Sequence, residues 1–113
     1  MKVEFEKKMR IASDLLSYCH SKGATEFHTD MTDKNKVTVF TIKAYPVTLS
    51  AREMETLQKE LYAPRHKEVE QDFWGLMGES ENFSELTLVG MMCDEALVET
   101  ENDTITIVIK RYD

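Results

Sequence analysis

The sequence predicts an α+β fold: a two-layer sandwich in which a mostly antiparallel four-stranded sheet of two hairpins carries helices on one face, in the order α-β-β-α-α-α-β-β. Three observations predict it. Apolar residues recur every three to four positions near the N-terminus and again between Ser50 and Met92, the period of an amphipathic helix. Segments before and after that helical middle are rich in β-formers with a period of two. Clusters of Asp and Asn split each of those segments once, as hairpin turns do.

From about Lys2 to Lys22, Phe5, Met9, Ala12, Leu15 or Leu16 and Cys19 mark one apolar stripe, and Gly23 stands where a left-handed cap is expected. Ala24 to Thr32 then alternates, Phe27 and Met31 against Glu26, His28 and Asp30, as a half-buried strand does. Asp33-Lys34-Asn35-Lys36 is a turn, and Val37 to Ala44 supplies the partner strand through Val37, Val39, Phe40 and Ile42. Pro46 breaks that strand, and Ser50 with Glu53 forms a capping box for a second helix striped by Met54, Leu57 and Leu61. Pro64 stops it and opens a third helix, with Glu68 and Glu70 early, Val69, Phe73, Leu76 and Met77 on one face, and Gly78 at its end. Asn82 or Ser84 caps a fourth through Phe83, Leu86, Val89 and Met92; Thr87-Leu88-Val89 also suits a strand, but the helical spacing is preferred. Ala96 to Glu99 and Thr104 to Arg111 form the second hairpin around Glu101-Asn102-Asp103, with Ile105, Ile107 and Ile109 facing the core and Thr104, Thr106 and Lys110 facing out.

A chain of 113 residues fits one domain, 1–113, with a core that needs neither disulfide nor metal. Cys19 and Cys93 read as buried small hydrophobes, kept reduced in a cytoplasmic protein. The mixed charges at the N-terminus are unlike a signal peptide, and no apolar run approaches the length of a membrane span, so a cytoplasmic location is expected. The net charge of −7 argues against nucleic acid and anionic lipid as partners. That charge is unevenly placed. Residues 1–67 carry 12 basic and 9 acidic side chains, whereas residues 68–109 carry 11 acidic ones and no Lys or Arg.

The stretch Leu86-Thr87-Leu88-Val89-Gly90-Met91-Met92-Cys93-Asp94-Glu95-Ala96-Leu97-Val98-Glu99, followed by Asn102 to Arg111, resembles the end of the serine-kinase anti-sigma factors of the histidine-kinase-type ATPase superfamily, where a helix runs into Asp-Glu and a terminal hairpin. The N-terminal helix leading into two strands is similar in layout to the first half of that fold, so the likeness covers about two thirds of the chain. The superfamily's Glu-x-x-x-Asn, whose Asn ligates Mg²⁺ and whose Glu is the base, corresponds to Asp14-Leu15-Leu16-Ser17-Tyr18; a neutral phenol is a poor ligand for a hard cation. Its adenine-reading Asp-x-Gly-x-Gly falls on Ala44-Tyr45-Pro46-Val47-Thr48-Leu49, which has neither Asp nor Gly. Its phosphate-binding Gly-x-Gly falls on Phe83-Ser84-Glu85, where Glu85 repels phosphate. The resemblance therefore implies a scaffold that has lost its nucleotide, with Asp14 and Tyr18 as degenerate site positions, no catalytic residue and no cofactor.

No other constellation carries chemistry. Cys19-His20 are adjacent on a helix and point about 100° apart, wrong for a nucleophile and its base. Cys19, His20, His28, His66 and Cys93 include no Cys-x-x-Cys or His-x-x-x-His pair to anchor a metal, so none is expected. Arg65-His66-Lys67 reads as a solvated basic turn. Trp74, at the edge of the third helix's apolar face near Glu70 and Met91, is the side chain best suited to a partner. The expectation is a bacterial-type, non-enzymatic regulatory or interaction module. It uses Trp74, Glu70, Glu81, Glu85, Asp94 and Glu95 to hold a basic protein or a second copy of itself, and the alternative is an ATP-binding anti-sigma-type serine kinase with diverged motifs.

Overall fold

The computed structural model describes residues 2–62 and 85–112, and within them every side chain except those of Lys2, Val3, Glu85 and Leu88. The elements are α1 (Lys2–Ser21), β1 (Glu26–Lys34), β2 (Val37–Tyr45), α2 (Ala51–Leu61), α3 (Glu85–Met91), β3 (Glu95–Glu101) and β4 (Thr104–Tyr112). The strands form one antiparallel sheet in the order β1-β2-β4-β3, two hairpins joined through their second strands. The helix expected from Pro64 to Met77 lies outside the described residues.

Each hairpin closes on two residues in the left-handed region, Asn35 (φ 54°) with Lys36 (φ 63°) and Asn102 (φ 50°) with Asp103 (φ 64°). This is the type I′ geometry whose twist matches the strands it joins. On the inner strands, one side chain in two is buried: Thr38, Phe40, Ile42 and Ala44 on β2, and Ile105, Ile107, Ile109 and Arg111 on β4. Ile11, Leu15 and Cys19 of α1, Leu57 and Leu61 of α2, and Leu86 and Val89 of α3 close the core from one side. The β-branched runs thus do what their period of two requires, and the expected Ile105, Ile107 and Ile109 are fully buried.

The first helix ends as its glycine foretells. Gly23 adopts φ 103°, Gly23 N–H donates to His20 O at 3.0 Å and Ala24 N–H to Cys19 O at 3.1 Å, the paired bonds of a Schellman cap. Its rotation about its own axis differs from expectation. Phe5 is 52% exposed and Met9 40%, while Lys7, Lys8 and Asp14 are buried. At about 100° per residue, Ile11, Leu15, Cys19, Ala12, Phe5, Leu16 and Met9 span an apolar arc of about 160°. The sheet takes the half containing Ile11, Leu15 and Cys19, together with the buried charges beside it, and the half containing Phe5 and Met9 turns outward.

The buried charges are held where α1 meets the sheet. Lys8 Nζ sits 3.3 Å from both Asp33 carboxylate oxygens, and Thr38 donates to the same carboxylate at 3.0 Å. Arg111 donates to Met92 O at 2.7 Å and to Glu4 Oε2 at 3.0 Å, and Glu4 also faces Lys7 at 3.6 Å. A hydropathy pattern assigns lysines to water. Here their ion pairs let them lie under the helix.

The first strand is also more exposed than half-buried. Only Met31 packs partly on the core, and Phe27 is 38% exposed. The reason is position: β1 is an edge strand, and α1 packs over β2 and α3.

Candidate functional site

Of the side chains singled out for interaction, Glu70, Trp74 and Glu81 lie outside the described residues, as does the side chain of Glu85. Asp94 and Glu95 are brought together at the start of β3, exposed, and both engage the last strand. The Tyr112 backbone N–H donates to Asp94 Oδ2 at 2.6 Å, and the Tyr112 hydroxyl donates to Glu95 Oε2. The Glu95 bond raises the Tyr112 phenol above its ordinary pKa by stabilising the protonated form. These two acids therefore fasten β3 to β4 before they do anything else.

The remainder of β3 is a surface that sequence reasoning saw only in part. The strand runs to Glu101, two residues beyond the expected Glu99. Its alternation puts Glu95, Leu97, Glu99 and Glu101 on the sheet face turned away from the helices, with Ala96 and Val98 toward the core. Leu97 is 49% exposed between acids. The signal was present as Glu-x-Leu-x-Glu-x-Glu, and stopping the strand at Glu99 hid its length. Among the described residues β3 has β4 as its one neighbour. Because Glu101 and Thr104 close a two-residue turn, the odd-numbered residues of β3 bond to β4, and Ala96, Val98 and Thr100 direct their N–H and C=O groups to the free edge.

The two degenerate positions on α1 have separate fates. Asp14 is buried and accepts from Arg10 at 3.1 and 3.3 Å. Tyr18, one turn on, lines a cleft of about 410 Å³ between α1 and α2 with Lys22, Arg52, Glu53, Thr56 and Glu60. Burial pushes the Tyr18 phenol up to about 12, helped by Glu53, Cys19 and Glu60, so it is a hydrogen-bonding group and not a base at neutral pH. Lys22 bridges to Glu53 at 2.7 Å and stands 5.6 Å from the centre of the Tyr18 ring. Side chains drawn from three helices, Leu86 of α3 among them, left no spacing in the sequence by which to find this cleft.

Both cysteines are buried thiols, and burial holds the Cys19 thiol up at about 11, neutral and unreactive beside an exposed His20. Among the described residues no three His, Cys, Asp or Glu side chains converge as metal ligands, and no helix is long and apolar enough to cross a membrane. No protein-family model matches the chain, and no curated protein is significantly similar to it.

Proposed function

We propose that this chain is a cytosolic, non-enzymatic interaction module that presents its acidic β3 edge to a basic protein. The observation that carries the reading is the outer edge of β3, which has no further strand beside it among the described residues, with Leu97 exposed among Glu95, Glu99 and Glu101. An extended segment of a partner adds to such an edge through main-chain hydrogen bonds, and its side chains supply the selectivity. Alternating basic and apolar residues meet the glutamates and Leu97 in register, and the field of the acids speeds encounter. On this reading the likeness to the anti-sigma kinases is one of scaffold, kept after the nucleotide was lost. Capture of a partner from cell extract that is strong at low salt, weak at high salt and absent for Glu99→Lys/Glu101→Lys, a variant expected to melt like the parent, supports it. Equal capture by parent and variant sinks it.

A second reading, an ATP-binding serine kinase with diverged motifs, draws on the cleft at Tyr18, where Lys22 and Arg52 supply positive charge. ATP with Mg²⁺ at millimolar concentration then raises the melting temperature, and ADP and GTP provide the comparison. An unchanged melting temperature removes this reading.

A further inference from the structure

We infer that β1 is a self-pairing edge, and that two copies of this chain join antiparallel about a two-fold axis at Thr29 into one continuous eight-stranded sheet. The inference goes beyond the reading of β3 and leaves that edge free at each end of the assembly. It rests on the backbone direction of β1, its residue order and the apolar surface beside it.

Lys34 and Val37 close the two-residue turn of the first hairpin, so they form a hydrogen-bonded pair, and the even-numbered residues of β1 bond to β2. Phe27, Thr29, Met31 and Asp33 therefore direct their main-chain N–H and C=O groups away from β2, to the edge that has no neighbour among the described residues. An edge of nine residues with open hydrogen-bonding groups is a template for another strand.

Residue order then selects the partner and the register. A two-fold axis at Thr29 sets Thr29 against its own copy, Phe27 against Met31 on the helix side of the sheet, and His28 against Asp30 on the opposite side, each pair occurring twice. Glu26 faces Thr32. Every facing pair is apolar, hydroxyl-matched or able to unite a donor with a carboxylate. Moving the axis by one residue to Asp30 places two aspartates face to face and sets Phe27 against Asp33, the carboxylate already bound by Lys8 and Thr38. Like charges directly opposite are unfavourable, so the chemistry discriminates between neighbouring registers. A segment of unrelated sequence has no reason to complement β1 at each of these positions, whereas a second copy does so by symmetry.

The helix side supplies apolar area. Leu16, on the α1 arc whose Phe5 and Met9 are exposed, lines a groove of about 390 Å³ with Ser17, His20 and, from β1, Phe27 and Thr29. His20 and Phe27 already approach across it, with ring centroids 6.4 Å apart. Pairing at β1 brings the second copy's Phe27 and Met31 against this groove and covers apolar surface that a monomer leaves in water.

Sedimentation equilibrium on the whole chain gives the first test: a mass of twice 13.1 kDa at micromolar concentration is expected, and a monomer at hundreds of micromolar overturns the inference. Thr29→Pro removes an N–H that points away from β2, so the fold persists by circular dichroism while dimerisation weakens about tenfold or more. His28→Asp weakens it by a similar factor by opposing two aspartates to Asp30, and His28→Asp/Asp30→His restores it. The register is read by oxidation. Thr29→Cys gives a covalent dimer because its facing Cα atoms are about 5.5 Å apart, whereas Asp30→Cys lies on a diagonal of about 7–8 Å and links poorly. A dimer that survives both Thr29→Pro and His28→Asp, or that links through Asp30→Cys in preference to Thr29→Cys, places the interface or the register elsewhere and overturns the inference.

Discussion

Helices α1 and α2 lie on the same face of one sheet and are held there by different physics. The first is seated on a mixture of apolar side chains and buried charges, Ile11 and Leu15 beside Lys7, Lys8 and Asp14. The second carries its buried weight on Leu57 and Leu61, has a complete capping box at its start, and meets α3 backbone to backbone at its end. A seat made of ion pairs has adjustable parts, because long side chains move and water can reach the half-exposed partners Glu4 and Asp33. A seat made of backbone contact has none. Substitutions at the two seats should therefore differ in size and in how easily a second change repairs them.

The largest effect is expected at Gly90. A methyl group there would lie well inside contact distance of the Glu60 carbonyl oxygen and 3.2 Å from its carbonyl carbon, both backbone atoms that cannot swing aside. Gly90→Ala forces α3 away from α2, opening the core at Leu86 and Val89, and should cost about 3 kcal/mol in chemical denaturation, although alanine is the better helix former. A loss under about 1 kcal/mol would mean that the two helices re-space freely and that the contrast between the seats is wrong.

Arg111 probes the other seat. Arg111→Met keeps most of the buried volume but removes the donors to Met92 O and Glu4, and should cost about 2 kcal/mol. Because Glu4 is 41% exposed it can take up water, and adding Glu4→Gln should recover part of the loss. No second substitution at a side chain should recover Gly90→Ala to the same degree. Equilibrium unfolding of Gly90→Ala, Arg111→Met and Arg111→Met/Glu4→Gln, and of Gly90→Ala with a side-chain change added, measures both claims together.

The contrast also separates what the sequence tells from what it hides. Strand and hairpin positions were legible because period two, β-branched residues and paired Asn-containing turns all agree, from Phe40 to Ile109. Gly23 and the Ser50–Glu53 box announced helix ends for the same reason: each is a local device whose partners lie within a few residues. The rotation of α1 was not legible. Its apolar arc is wider than the sheet can cover, and the choice of half was made by Asp33 and Arg111, residues distant in the chain that render Lys8 and Glu4 acceptable beneath the helix. The same limit governs the site. The acidic character of the C-terminal half was plain from composition, and the alternation that exposes Leu97 was readable, but that β1 and β3 are the outer strands among the described residues follows only from the strand order.

A smaller effect tests the start of α2. The Ser50 hydroxyl accepts from Glu53 N–H at 3.1 Å, and the Glu53 carboxylate accepts from Ser50 N–H at 2.9 Å. Ser50→Ala leaves the Glu53 N–H to water and should cost about 1 kcal/mol, near a third of the loss at Gly90. A cost as large as that of Gly90→Ala would place the grip on α2 at its cap instead of its contact with α3.

The smallest effect concerns a bridge between the two helix ends, Lys22 just past α1 to Glu53 in the first turn of α2. Lys22 donates to Glu53 at 2.7 Å and, with Ser50 N–H, holds the carboxyl down at about 2 from its ordinary 4.5. A carboxylate with a folded-state pKa below its unfolded value stabilises the fold fully above the unfolded value, and that contribution is lost as pH falls through the folded one. The window is therefore pH 4.5 down to about 2. Glutamine can occupy the same capping-box position, so Glu53→Gln keeps the cap and removes only the charge. The melting temperature of the parent should exceed that of Glu53→Gln by a constant, small margin above pH 5, since solvent and salt screen an exposed pair. That margin should close between pH 4.5 and 2, and should shrink at every pH in high salt. A margin that persists unchanged at pH 2, or that ignores salt, would show that Glu53 acts through its shape in the cap and that α1 and α2 are joined only through the core.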